Sequence, residues 1–151
     1  MFVSDSLGIK ENRLTFGGLD TVALAEKYGT PLYLFDADRI KLTCRDFISA
    51  INEYYDGFGT AAFASKAFSC IASVKLVNSE NMSLDTVSGG EIYTALKAGF
   101  PADKIIFHGN NKSEDELAFA IENNVGRIVC DGIEEVEIIN SLACDYGKRV
   151  K

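Results

Sequence analysis

Positive charge is scarce in this 151-residue chain: 15 Lys and Arg face 22 Asp and Glu, for a formal charge of −7. The basic residues are also scattered, which argues against a nucleic-acid face and leaves a small molecule or a protein as the expected partner. No run of about 18 apolar residues is present, so nothing reads as a membrane span. The start, Met1-Phe2-Val3-Ser4-Asp5-Ser6, lacks a basic segment leading into an apolar one, and a cytoplasmic location is expected. Paired cysteines are missing too. Cys44, Cys70, Cys130 and Cys144 are widely spaced, with no C-x-x-C pair and no Cys/His cluster, which excludes a zinc site or a disulfide framework as the organising element. In a cytoplasmic chain the Asn-x-Ser triplets at Asn81 and Asn111 are chance matches. What is abundant is apolar residue: 47% of the chain, enough to bury the core of one globular domain.

Leu7, Ile9, Leu14 and Phe16 alternate with polar positions and suit one or two short strands joined near Glu11-Asn12, with no evident pairing partner. Asp20 can cap a short helix closed by Gly29, and Pro31 opens an extended run, residues 32–35, that reads as another strand. Asp36 is then a suitable N-cap for a long helix, where Ile40, Cys44, Phe47, Ile48, Ile51 and Tyr55 recur at helical spacing until Gly57 and Gly59.

From Thr60 on, strand, turn and helix repeat four times. The expected strands are residues 60–64, 82–84, 104–107 and 127–130, starting at intervals of 22, 22 and 23 residues. Ser88-Gly89-Gly90-Glu91 and Ser113-Glu114-Asp115-Glu116 each fit a capping box, and a last helix is expected over about 133–143. The period could suggest a leucine-rich solenoid, but its consensus is absent and each unit carries a full helix. Alternating β and α elements call for a parallel sheet, doubly wound or closed as a barrel. Gly57-Phe58-Gly59-Thr60-Ala61-Ala62 precedes its strand instead of following it, so it is no nucleotide-binding turn.

Ligands of parallel α/β sheets meet the carboxyl ends of the strands. Here the four strands finish with Lys66, Asp85, His108 and Asp131, an ionisable group each time. Lys66 ends a strand that reads as buried, among the small residues Ala64, Ser65 and Ala67. A buried ammonium is costly, and a desolvated lysine becomes a nucleophile able to form an imine with an aldehyde cofactor or a carbonyl substrate. The alternative is a lysine that snorkels from a strand end into water. Asp85 and Asp131 can equally be turn or cap residues, Asp131 the more readily because Gly132 follows it. His108, the only histidine, can be positional.

Three motifs, Ala64-Ser65-Lys66-Ala67-Phe68-Ser69-Cys70, Asp85-Thr86-Val87-Ser88-Gly89-Gly90-Glu91 and Phe107-His108-Gly109-Asn110-Asn111-Lys112-Ser113, in this order and spacing closely resemble the N-terminal part of the diaminopimelate decarboxylases. The resemblance covers most of the chain from about Gly29. It implies a pyridoxal 5'-phosphate enzyme built on a (β/α)8 TIM-type barrel, with a β domain fed by both chain ends. Residues 1–35 would then contribute strands and a short helix to that β domain. Residues 36–151 would form the long helix and the first four β/α units of the barrel, truncated at Lys151. The resemblance further implies that Lys66 is catalytic and carries the cofactor, that Asp85 and His108 lie beside it, and that no metal is used. Its stacking histidine, phosphate cradle, pyridinium partner, substrate arginines and catalytic cysteine would come later in the chain, so neither His108 nor any of the four cysteines takes those roles.

The activity implied is conversion of meso-diaminopimelate to L-lysine and carbon dioxide in lysine biosynthesis, with the 151-residue chain inactive by itself. Other readings are a decarboxylase of the same fold acting on ornithine, arginine or carboxynorspermidine, and a barrel that binds pyridoxal phosphate without turnover. The family implies a homodimer. Half a barrel would in any case leave open strand edges and an uncovered apolar face, which predicts a dimer or larger assembly.

Overall fold

The structure is a computed structural model that describes residues 4–151. The chain divides into two compact units, one up to Thr43 and one from Cys44 on.

In the first unit the N-terminal strands pair with one another. β1 (Leu7–Lys10), β2 (Arg13–Phe16) and β3 (Leu19–Asp20) form an antiparallel sheet in that order, with Leu7 opposite Phe16 and Lys10 opposite Arg13. Glu11 and Asn12, at φ 51° and 61°, make the two-residue loop whose positive φ values match the twist of a hairpin. Asp20 closes the sheet and opens α1 (Thr21–Tyr28), its Oδ1 accepting from the Val22 amide at 2.8 Å while Arg13 pairs with its other oxygen at 2.9 Å. Gly29 ends this helix by donating to the Ala25 carbonyl at 2.8 Å. The strand expected over residues 32–35 is not formed: the run joins neither sheet of the described chain. An extended apolar run becomes a strand only where a ladder is offered, and Tyr33, 87% exposed, faces water instead. α2 (Ala37–Tyr54) starts as expected, with Asp36 Oδ1 accepting from the amides of Asp38 and Arg39 at 3.0 and 3.1 Å.

The second unit carries the repeat. β4 (Ala62–Ala64), β5 (Ser83–Thr86), β6 (Ile105–Phe107) and β7 (Arg127–Ile128) are parallel and lie in chain order, each beside its predecessor. The helices between and after them are α3 (Ile71–Ser79), α4 (Gly89–Lys97), α5 (Glu114–Glu122) and α6 (Ile133–Asp145). Among the described strands the order runs in one direction without reversal. Right-handed crossovers put successive helices on the same face, against which Val74, Val77, Ile92, Ala95, Leu117 and Ala120 are fully buried. The strands themselves contribute Leu84, Ile105 and Phe107, also without exposed surface.

Helices α3 to α6 end alike. Asn81, Gly99, Asn124 and Gly147 adopt φ of 63°, 78°, 57° and 59°, two residues beyond each helix. The next amide then bonds back across the last turn: Met82 to Val77, Phe100 to Ala95, Val125 to Ala120 and Lys148 to Ala143, at 2.9 to 3.4 Å. This is the Schellman arrangement, and the apolar residue it delivers is buried at Met82, Phe100 and Val125. The same rim holds the tightest backbone approach. Gly126 donates to the Ala102 carbonyl at 2.8 Å, and a Cβ at this position would collide with the Asp103 carbonyl.

Candidate active site

At the other rim the strands deliver ionisable groups, though not quite where the spacing placed them. β4 stops at Ala64, and Lys66 sits in the single 3-10 turn Ser65–Ala67 that follows. Lys66 is exposed, contrary to the expectation of a buried lysine; the residue with no exposed surface is Ser65. Among the described strands β4 pairs only with β5. What singles out Lys66 is therefore its place on a cleft and the rigidity of its base. Ser65 Oγ donates to Glu91 Oε2 at 2.5 Å, and the same oxygen accepts from the Val87 amide at 2.8 Å.

Glu91 was expected to complete a capping box with Ser88, and only half of it exists. Ser88 Oγ accepts from the Glu91 amide at 3.3 Å, but the Glu91 carboxylate turns away to serve Ser65 and Val87. The second box is complete: Ser113 caps Glu116, and Glu116 Oε2 accepts from the Ser113 amide at 3.1 Å. Its other oxygen accepts from the Gly89 amide of the preceding helix at 2.8 Å. These bonds, the Gly89 one first, hold the Glu116 carboxyl below its ordinary value. Glu135 repeats the geometry without a serine cap, taking the Asp131 amide at 2.8 Å and the Lys112 ammonium at 2.9 Å. Each of the three glutamates stands third in its helix, and each reaches a loop or helix start belonging to the unit before.

Asp85 lies within β5 instead of after it, and His108 follows β6 directly, its amide continuing the ladder to the Thr86 carbonyl at 3.0 Å. The neighbouring strands bring the two side chains together, with His108 Nε2 3.0 Å from Asp85 Oδ2. The approach lies off the hydrogen-bond direction, so this buried ring nitrogen has no hydrogen-bond partner among the described residues.

Lys66, His108 and Asp131 line one cleft with Val87, Gly109, Asn110, Asn111 and Val129; its volume is about 500 Å³, in the range that takes a small molecule. Asp85 meets it through His108. Asp131, the residue most easily read as a turn, thus shares the cleft with Lys66. A depression of about 520 Å³ at the opposite ends of the strands involves Thr60, Ala61, Ser83, Asp103 and Lys104. It gathers no comparable set of groups, and parallel sheets bind ligands at their carboxyl ends. Among the described residues no group of three metal-ligating side chains occurs, and no helix is long and apolar enough to cross a membrane. An exposed amine on a rigid base, an imidazole with an unmet nitrogen and two carboxylates can anchor a carbonyl compound covalently and place charge around it.

Sequence reasoning picked out Lys66, Asp85 and His108 but missed Lys112 and Glu135. The signal for Glu135 was present in its position, third in its helix like Glu91 and Glu116; without a serine cap before it, it did not look like a box.

Residues 40–150 match the family described as pyridoxal-dependent decarboxylase, pyridoxal binding domain. The chain is 48% identical over 143 residues to diaminopimelate decarboxylase of Bacillus methanolicus, covering 94% of this chain and 32% of that protein. It is 46% identical over 145 residues to the Bacillus subtilis enzyme of the same name, covering 93% of this chain and 32% of that protein. In structure it is similar to diaminopimelate decarboxylase from M. jannaschii in complex with L-lysine, with a TM-score of 0.91 at 34% identity, covering 99% of this chain and 35% of the other. The chain spans about a third of the length of the curated relatives it matches.

Proposed function

Because the chain belongs to the pyridoxal-dependent decarboxylases and carries their pyridoxal-binding domain, we propose that it is the N-terminal part of a diaminopimelate decarboxylase, which releases carbon dioxide from meso-diaminopimelate to give L-lysine. The observation that carries this reading is the placement of Lys66 on the cleft beside His108 and Asp131. The residues present fit pyridoxal 5'-phosphate: the exposed Lys66 amine stands on a cleft of about 500 Å³ that His108 and the polar side chains of Asn110 and Asn111 also line.

Lys66 would hold the cofactor covalently through its ε-amine. When bound, pyridoxal phosphate supplies the electron sink that makes loss of a carboxyl group possible. Ser65, tied to Glu91, keeps the base of Lys66 from wandering, so that the amine is presented in one place. Asp85 places a carboxylate oxygen 3.0 Å from His108 Nε2, beside the imidazole at the strand end. Asp131 adds negative charge at the cleft, suited to an amino-bearing substrate. The same proposal includes residues 1–35 as part of a β domain and residues 36–151 as the long helix and first four units of an eight-unit barrel. A cytoplasmic homodimer acting on a small amino acid completes it.

The test is reduction with borohydride in the presence of pyridoxal phosphate, followed by mass mapping. Selective modification of Lys66 is the expected result, whereas modification spread over the surface lysines contradicts the assignment. In a longer protein that includes this chain, Lys66→Ala should abolish decarboxylation, and retained turnover would sink the reading.

A further inference from the structure

The mechanism above leaves one buried charged group unused. The Lys112 side chain is only 1% exposed, yet it lies in the loop between β6 and α5 and not in the core. A buried ammonium persists only when paired and hydrogen-bonded. Lys112 meets both conditions from opposite sides: Glu135 Oε1 of α6 lies 2.9 Å from its Nζ, and the Gly109 carbonyl of its own loop accepts from the same nitrogen. The Phe107 ring, 5.9 Å away, covers it further. The loop so gripped starts at His108 and includes Gly109, at φ 136°, a conformation that other residues rarely adopt. His108, Gly109, Asn110 and Asn111 all line the cleft that Lys66 shares. Glu135 binds the Asp131 amide with its other oxygen, and Asp131 lines the cleft too. One buried ion pair therefore ties together two of the four loops that bound the site.

We propose that Lys112 is a positioning residue for the cofactor site, its ammonium clamped between Glu135 and the Gly109 carbonyl so that residues 108–111 stand as a fixed wall of the cleft. It does not touch the reacting atoms. The idea rests on the cofactor reading given for Lys66 and adds a division of labour between two lysines at one rim. The exposed one reacts; the buried one holds the wall.

The test uses the chain as it stands, with pyridoxal phosphate as probe and two variants, Lys112→Met and Lys112→Met/Glu135→Gln. The double variant removes both charges together and keeps an acceptor for the Asp131 amide, so the fold should survive even if the single variant does not. In the parent chain borohydride should fix the probe to Lys66 and leave Lys112 unmodified. In the double variant Lys66 labelling should fall roughly tenfold, the His108 ring resonances should move, and the amides of residues 109–111 should exchange faster, with the helices still protected. Unchanged His108 resonances and unchanged exchange at residues 109–111 would overturn the proposal, as would Lys66 labelling at the parental rate. If the parent chain fails to label Lys66, the cofactor reading fails separately. The ring resonances and loop exchange then still decide whether Lys112 fixes the wall.

Discussion

The two rims of the parallel sheet are stabilised in different ways. At the rim where the strands begin, the ends of α3, α4, α5 and α6 use one backbone device, a residue at positive φ followed by a bond back across the last turn, with every partner drawn from the same helix. At the rim where the strands end, order comes from side chains that cross between units: Glu91 to Ser65, Glu116 to Gly89, Glu135 to Lys112. The first device is local and each copy stands alone. The second makes each of the first three units depend on the helix after the next strand. Stability and site geometry are thus written at opposite ends of the same strands, and they should respond differently to substitution.

The largest effect is expected where the starting rim is tightest. Gly126→Ala drives a methyl group into the Asp103 carbonyl, a clash with backbone that no rotamer relieves, and should cost about 3 kcal/mol. A denaturant midpoint close to the parent's would show that this rim yields more than its geometry allows.

A sharper contrast comes from paired substitutions. Gly99→Ala and Gly147→Ala should each lose about 1 kcal/mol through strain at positive φ, and their sum should match the double variant. Ser65→Ala and Glu91→Gln share one hydrogen bond, so their double-mutant cycle should show coupling of about 1 kcal/mol. Additivity at Ser65 and Glu91, or coupling between Gly99 and Gly147, would erase the distinction between the rims.

The smallest effect is a matter of pH. Glu116 has its carboxyl held below the ordinary value, about 4.5, by the Gly89 and Ser113 amides. Its contribution to stability is therefore present above that ordinary value and is lost as pH falls through the lowered one. Glu116→Gln should lower stability near neutral pH by less than about 1 kcal/mol, given solvent screening, and converge with the parent in acid. Chemical denaturation at pH 7 and at pH 3 reads this directly; an equal deficit at both values would mean the charge is not what matters.

The starting rim was largely legible in the sequence because its signals are local. The four repeats follow from strand starts spaced 22, 22 and 23 residues apart, and Gly99 and Gly147 mark helix ends within two residues, whereas Asn81 and Asn124, which take the same positive φ, carry no comparable glycine signal. The strand-end rim was legible only in its inventory. Lys66, Asp85 and His108 stand out as ionisable groups after apolar runs, but that His108 would meet Asp85, or that Glu91 would abandon its box for Ser65, depends on neighbours some two dozen residues away. Residues 32–35 failed as a strand for a related reason: their pattern is extended and apolar, and pairing is a property of what lies alongside. Of the two readings open for Lys66, a desolvated amine and one that reaches from a strand end into water, the described chain has the exposed one, which the small residues around it did not decide.

The backward reach of the three glutamates also sets a timetable. As the chain leaves the ribosome, Ser65 and Lys66 emerge well before Glu91, and the loop from His108 to Lys112 well before Glu135. N-terminal segments generally fold first during synthesis, yet here each loop of the cleft waits for a carboxylate that has not been made. Until α4 appears, the turn bearing Lys66 has no hold on its hydroxyl, and until α6 appears the wall beside it has no counter-ion. The scaffold can thus settle unit by unit while the reactive end lags one helix behind, so that the amine is held in place only after the framework around it is built.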